Sequence, residues 1–105
     1  MTRYLVLYRL PLDAPDPMNN PDPASEAEGK AAWGTWIRDA GRAVVDIGAP
    51  TFPLDRPAEP DRVSGFSILE TASPAELEWL LATHPHRKAG TFEVHAFAAP
   101  AADAV

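Results

Sequence analysis

Residues 3–10, RYLVLYRL, place the strongest constraint on the fold of this chain. Side chains alternate across a β-strand, so Tyr4 and Val6 would share one face while Leu5 and Leu7 share the other. Both faces are therefore apolar, which is typical of a strand that is covered on both sides. We expect this strand to lie at the centre of a sheet.

Two capping boxes predict where the helices begin. Ser25 with Glu28, and Ser73 with Glu76, place a hydroxyl and a carboxylate three residues apart. At this spacing each side chain satisfies a backbone N–H of the first helical turn. The first helix then carries an aromatic face and is expected to end at Gly41, because glycine readily adopts the conformation of a helix C-cap.

Four predicted strands complete the pattern, over residues 3–10, 44–52, 62–71 and 91–97. The order β-α-β-β-α-β is the ferredoxin-like plan, an α+β fold in which a four-stranded antiparallel sheet carries both helices on one face. The other face would still expose the apolar side chains of the central strand. We therefore expect a second copy to cover it, which makes the protein a homodimer.

The chain is predicted to form one domain over residues 1–98, followed by a flexible tail over 99–105. The connection over residues 11–24 contains five prolines. Proline disfavours both helices and internal strands. A segment of this length and composition is either a lid or disordered, and composition does not decide between them.

Charge and composition exclude several classes of function. Nine basic against fifteen acidic residues give a net charge of −6, which disfavours binding to nucleic acid or to an anionic membrane. There is no cysteine, so disulfides, thiolate catalysis and cysteine-ligated zinc are excluded. The apolar run near residue 5 is too short for a signal peptide or a membrane span. We expect a cytoplasmic protein.

Four segments resemble the YCII-related family, in particular the subgroup named for an Asp-Gly-Pro-Phe tetrapeptide. They are YLVLYR at 4–9, AWGTW at 32–36, SGFSILE at 64–70 and the histidine-containing stretch at 84–94. The resemblance implies ferredoxin-type domains that pair into a dimeric α/β barrel.

This chain also departs from the family pattern. The region that corresponds to the tetrapeptide is DRPAEP at 55–60. Smaller members of the family are thought to use a His–Asp pair whose histidine lies on the first helix, and the first predicted helix here contains no histidine. The resemblance therefore assigns no catalytic residue, although Asp46 is retained as a candidate carboxylate.

Asp46, His84, His86 and His95 are the candidate catalytic residues. Histidine changes its charge near neutral pH and is the commonest general acid–base, and Asp46 or Glu93 would orient the imidazole. A metal site is not predicted, because a short His-x-His pair without further spaced ligands is weak evidence. The competing interpretation is structural: the His-Pro-His sequence ends a helix in a turn, where cationic imidazoles suit the helix dipole.

The candidate ligand-binding residues are Tyr8, Arg9, Trp33, Trp36 and Glu93. The aromatic rings either line a pocket for a flat apolar ligand or form the core. Arg9 either binds a ligand carboxylate or is a solvated residue near a strand end.

Two functions remain open from the sequence. One is a cofactor-independent small-molecule lyase, isomerase or cyclase in which His and Asp move protons. The other is a non-catalytic module that binds a small ligand or a partner. No cofactor is expected for either function.

Overall fold

The computed structural model describes residues 1–14 and 22–98. Its strands are β1 (Thr2–Pro11), β2 (Val44–Pro50), β3 (Asp61–Thr71) and β4 (Thr91–Ala96), and its helices are α1 (Pro23–Ala40) and α2 (Pro74–Ala82). Two short 3-10 turns follow the helices, at Gly41–Ala43 and Pro85–Lys88. Neither helix is long and apolar enough to cross a membrane.

The sheet has the strand order β2-β3-β1-β4 and every neighbouring pair is antiparallel. The predicted ferredoxin-like fold is thereby confirmed, with β1 at the centre as its sequence pattern indicated. Val6, Leu69 and Leu80 are almost fully buried in the core between the sheet and the helices. Leu5 and Leu7 alternate to the other face of β1, where they are half-buried.

The start of α1 differs from the prediction. Its N-cap is Asp22, whose side chain accepts a hydrogen bond from the backbone N–H of Ala24 at 3.3 Å, and Pro23 occupies the first turn. The box predicted at Ser25 is wrong, because an Asp-Pro pair three residues earlier already forms a favourable helix start. At α2 the predicted cap is confirmed, since Ser73 accepts from the N–H of Glu76 at 3.2 Å.

β2 is irregular, as its glycine and proline indicated. The register with β3 shifts on both sides of Asp46, and Gly48 adopts a φ of 80°. A Cβ at Gly48 would lie 1.7 Å from the carbonyl oxygen of Phe66, so only glycine allows this approach. The strand ends at Pro50, two residues earlier than predicted. Residues 15–21 of the predicted proline-rich connection and the predicted tail at 99–105 lie outside the described residues.

Candidate functional site

The turn after α2 buries two of the three histidines against the sheet. His84 is the N-cap of the Pro85–Lys88 turn, and its Nδ1 accepts a hydrogen bond from the backbone N–H of His86 at 3.0 Å. The two imidazole centroids lie 6.4 Å apart. Pro85 fixes the backbone between the two histidines, since its ring restricts φ.

His84 lies inside a cage of aromatic rings and is only 2% exposed. Its ring centroid is 4.4 Å from that of Trp33, 4.3 Å from Trp36 and 5.0 Å from Tyr8. Burial, and secondly the neighbouring His86, lower the pKa of His84 to about 3, so the ring is neutral at physiological pH. The expectation of a cationic imidazole at the helix end is therefore wrong for His84, because other elements cover this turn.

The hydrogen bond to Nδ1 also determines the tautomer of His84. A nitrogen that accepts from a backbone N–H carries no proton, so the neutral ring is protonated on Nε2. Nε2 is buried and has no hydrogen-bond partner among the described residues. Buried polar atoms are nearly always paired, which makes this nitrogen an exception to be explained.

His86 also carries a proton on Nε2, for a different reason. Its Nε2 lies 2.9 Å from the carbonyl oxygen of Arg9 and 3.0 Å from that of Thr91. Two carbonyl acceptors at this nitrogen require a proton on it. Gly90 permits this arrangement, because a Cβ there would lie 1.9 Å from the Arg9 carbonyl oxygen and 2.9 Å from His86 Nε2.

Tyr8 extends the hydrogen-bond network across the sheet. Its hydroxyl lies 2.6 Å from Ser67 Oγ, and Ser67 Oγ lies 2.6 Å from the carbonyl oxygen of Ile47. The carbonyl can only accept, so Ser67 donates to Ile47 and Tyr8 donates to Ser67. Burial raises the pKa of Tyr8 to about 12, opposed by the Ser67 hydrogen bond. The phenol is therefore neutral and held in place.

A cavity of about 190 Å³ lies between α1, the bulged part of β2 and the His-Pro-His turn. Its walls are mainly apolar and include Tyr8, Trp33, Ile47, Phe66, Pro85 and His86. Ser64 also contributes to the wall, and its hydroxyl donates to the backbone carbonyl of Tyr8 at 3.1 Å. The serines at 64 and 67 were missed in the sequence analysis, although polar residues inside an otherwise apolar strand are a usable signal.

The other two catalytic candidates lie elsewhere. His95 is registered with Leu5 on β1, and its Nε2 lies 2.6 Å from Glu93 Oε2 on the helix-free face of the sheet. Asp46 is exposed, and its Oδ1 accepts from the N–H of Gly48 at 2.8 Å, within the β2 bulge. Of the four candidates, the structure brings His84 and His86 together and places only His86 on the cavity wall.

Arg9 also lies on the helix-free side and is saturated by carboxylates. Its guanidinium contacts Glu59 at 2.6 Å, Asp61 at 2.7 Å and Glu93 at 2.8 Å, and its side chain is 16% exposed. The hydrogen bond from Arg9 is the main cause that lowers the pKa of Asp61, and the hydrogen bond to His95 is the main cause that lowers the pKa of Glu93. Arg9 and Glu93, two of the predicted ligand-binding residues, thus bind each other.

The tryptophans divide between core and cavity. Trp36 is buried and donates its Nε1–H to the carbonyl oxygen of Leu80 at 2.9 Å, as the core interpretation predicts. Trp33 is half-buried and lines the cavity, with its ring edge-to-face against Tyr8 at 5.1 Å. Across residues 1–14 and 22–98, no three His, Asp or Glu side chains cluster closely enough to hold a metal ion.

The sequence matches no known family model and no curated protein. Among solved structures it is similar to 5-chloro-2-hydroxyhydroquinone dehydrochlorinase (TftG) from Burkholderia phenoliruptrix AC1100, in complex with 2,5-dihydroxybenzoquinone. The identity is 18% and the TM-score 0.58, over 91% of this chain and 93% of that chain. The likeness supports the ferredoxin-like fold. The YCII-related family and its tetrapeptide subgroup stay predictions.

Proposed function

We propose that this protein binds a small, flat, mainly apolar molecule in the cavity beside Trp33 and acts on it as a cofactor-independent lyase or isomerase. The observation that carries the proposal is that an aromatic cavity has a hydrogen-bonded imidazole, His86, in its wall. Apolar pockets with a few placed polar groups are the usual form of small-molecule sites.

The size of the cavity favours a ligand with a single ring. An engineered apolar cavity of about 150 Å³ accepts benzene, and this one has a volume of about 190 Å³. The structural neighbour is a dehydrochlorinase bound to 2,5-dihydroxybenzoquinone, which also has one six-membered ring. A dehydrochlorinase removes HCl, a lyase-type reaction, so the neighbour is consistent with this proposal.

His86 is the group that we propose to move the proton. Its Nε2–H is held by the carbonyl oxygens of Arg9 and Thr91, so the ring is oriented. General acids and bases held in this way accelerate proton transfer by about 10²- to 10⁴-fold. Asp46 and His95 lie outside the cavity wall and take no part in this step.

His86→Gln tests the proposal sharply. A glutamine amide can donate to the same two carbonyl oxygens but is not a base. We expect the variant to bind phenol with unchanged affinity in calorimetry, and to release chloride from 5-chloro-2-hydroxyhydroquinone at least about 100-fold more slowly than the natural protein. His95→Gln is the matched control and should match the natural protein in both assays.

A second candidate function is a non-catalytic ligand-binding module. The observation that favours it is that His84, His95 and Asp46 do not converge on the cavity that His86 lines. Binding of phenol without turnover of the chlorinated hydroquinone would support the module and reject the lyase for this substrate. Failure of both phenol and benzene to bind would reject the cavity as a ligand site.

We also propose that two copies pack through the helix-free face of the sheet, as in YCII-related proteins. Leu5, Leu7 and Ile68 are half-buried on this face and no helix covers them. Leu7→Asp should give a folded monomer in sedimentation velocity, while Ala72→Asp, at an exposed position beyond β3, should leave the dimer intact. A natural protein that sediments as a monomer at micromolar concentration would contradict this proposal.

A further inference from the structure

A second concave surface lies beside α1, next to the Pro85–Lys88 turn. This groove has a volume of about 550 Å³ and runs between α1 and the segment from α2 to the Pro85–Lys88 turn. Its volume lies within the range of about 300–1,000 Å³ that is typical of small-molecule sites. The groove lining includes Trp36, Asp39, Trp79, His84, Arg87 and Lys88.

His84, whose Nε2–H has no partner among the described residues, is one of the residues that line the groove. Because Nδ1 accepts from the backbone of His86, the proton is on Nε2. Nε2–H is buried and finds no acceptor within the described part of the chain. A ligand atom that accepts a hydrogen bond would remove this deficiency.

The outer end of the groove is aromatic and cationic. Trp79 is 55% exposed, which is unusual for so large an apolar side chain. Arg87 and Lys88 are exposed and form no ion pair with any residue in 1–14 or 22–98. The chain as a whole has a net charge of −6. Two adjacent cations without ion pairs, beside an exposed indole, therefore favour binding of an anion at this position.

We propose that this groove binds an aromatic carboxylate. The ring would stack on Trp79, and the carboxylate would lie between the cations of Arg87 and Lys88 and the Nε2–H of His84. The chemistry follows from the lining: an apolar wall takes the ring, and cations with a buried N–H donor take the negative oxygens. Asp39 is the one carboxylate that lines the groove among residues 1–14 and 22–98, and it opposes the ligand charge.

Calorimetric titration of the natural protein with 2-naphthoate tests the site, with 2-naphthylmethanol as a neutral ligand of the same shape. We expect the carboxylate to bind more tightly than the alcohol. The double variant Arg87→Gln, Lys88→Gln should weaken naphthoate binding by about tenfold, which is typical of losing two partly exposed charge contacts. Asp39→Asn should strengthen it, and Arg42→Gln, which removes an exposed cation outside the groove, should leave it unchanged.

The proton on His84 supplies a readout that is independent of affinity. In ¹H–¹⁵N spectra of ¹⁵N-histidine protein, naphthoate should shift the Nε2–H resonance of His84 and leave that of His95 in place. Equal affinity for the alcohol and the carboxylate, binding unaffected by the double variant, or an unmoved His84 resonance would each overturn the proposal. So would absence of binding at millimolar naphthoate. Phenol, the cavity ligand, should neither displace naphthoate nor change these signals, so the two proposed sites are tested independently.

Discussion

Acidification should destabilise this protein through His84 in particular. The folded pKa of about 3 lies well below the ordinary value of 6.5, so the unfolded chain binds a proton at His84 that the folded chain excludes. The contribution of neutral His84 to the free energy of unfolding is fully present above the unfolded pKa. It is lost as the pH falls from 6.5 towards 3. The slope approaches about 1.36 kcal/mol for each pH unit once the unfolded histidine is protonated, so going from pH 6.5 to about 4.5 costs about 2.3 kcal/mol.

The variant His84→Asn isolates this contribution. Asparagine retains an oxygen near the position of Nδ1, which can accept from the N–H of His86 and cap the turn, but it does not titrate. The variant has a lower stability at neutral pH because it fills less of the aromatic cage. Between neutral pH and pH 4.5, its free energy of unfolding should nevertheless fall by about 2–3 kcal/mol less than that of the natural protein.

Urea unfolding, followed by tryptophan fluorescence at three pH values, measures this difference. Carboxylates such as Asp61 and Glu93, whose pKa values are lowered in the fold, contribute at lower pH to both proteins and cancel in the comparison. Parallel pH profiles for the natural protein and His84→Asn would refute the conclusion that burial keeps His84 neutral.

Three further predictions concern stability. Gly48→Ala should destabilise the fold by about 2 kcal/mol or more in thermal melts, because a Cβ would clash with the β3 backbone. Gly34→Ala should instead stabilise the fold by up to about 1 kcal/mol, because there is open space around Gly34. Tyr8→Phe should cost about 1–2 kcal/mol in urea unfolding, since it leaves Ser67 without its buried donor. Asp61→Asn should lower the melting temperature more than Glu59→Gln, because Asp61 accepts from two nitrogens of Arg9 and is the less exposed carboxylate; equal shifts would contradict this.

The architecture was predictable because its signals are periodic and local. Apolar residues on both faces over residues 3–10 identified the central strand, and the cap at Ser73 identified the start of α2. The start of α1 was missed because two caps compete within four residues, and Asp22 followed by proline prevails over Ser25. Ser25 instead donates to the Asp22 carboxylate at 2.8 Å, so the predicted cap residue is hydrogen-bonded to the observed one.

The site was only partly predictable, because burial of a turn depends on elements far away in the sequence. The His-Pro-His sequence shows where the helix ends, but not which surface the turn contacts. The rings that cover His84 come from β1, α1 and β4, through Tyr8, Trp33 and Phe92. No spacing rule links these segments, so the sequence analysis weighed a solvated cation against a catalytic base and found neither the neutral, caged imidazole nor its unpaired nitrogen.

For Arg9 the sequence identified the residue as a candidate but did not identify the carboxylates that bind it. Its alternation with Tyr8 on β1 places the two side chains on opposite faces of the sheet, so Arg9 cannot serve the cavity that Tyr8 lines. The carboxylates that saturate it come from the segment before β3, from β3 itself and from β4. An arginine with three acidic partners has no charge left for a ligand, whereas Arg87 and Lys88 in the Pro85–Lys88 turn form no ion pair within the described residues.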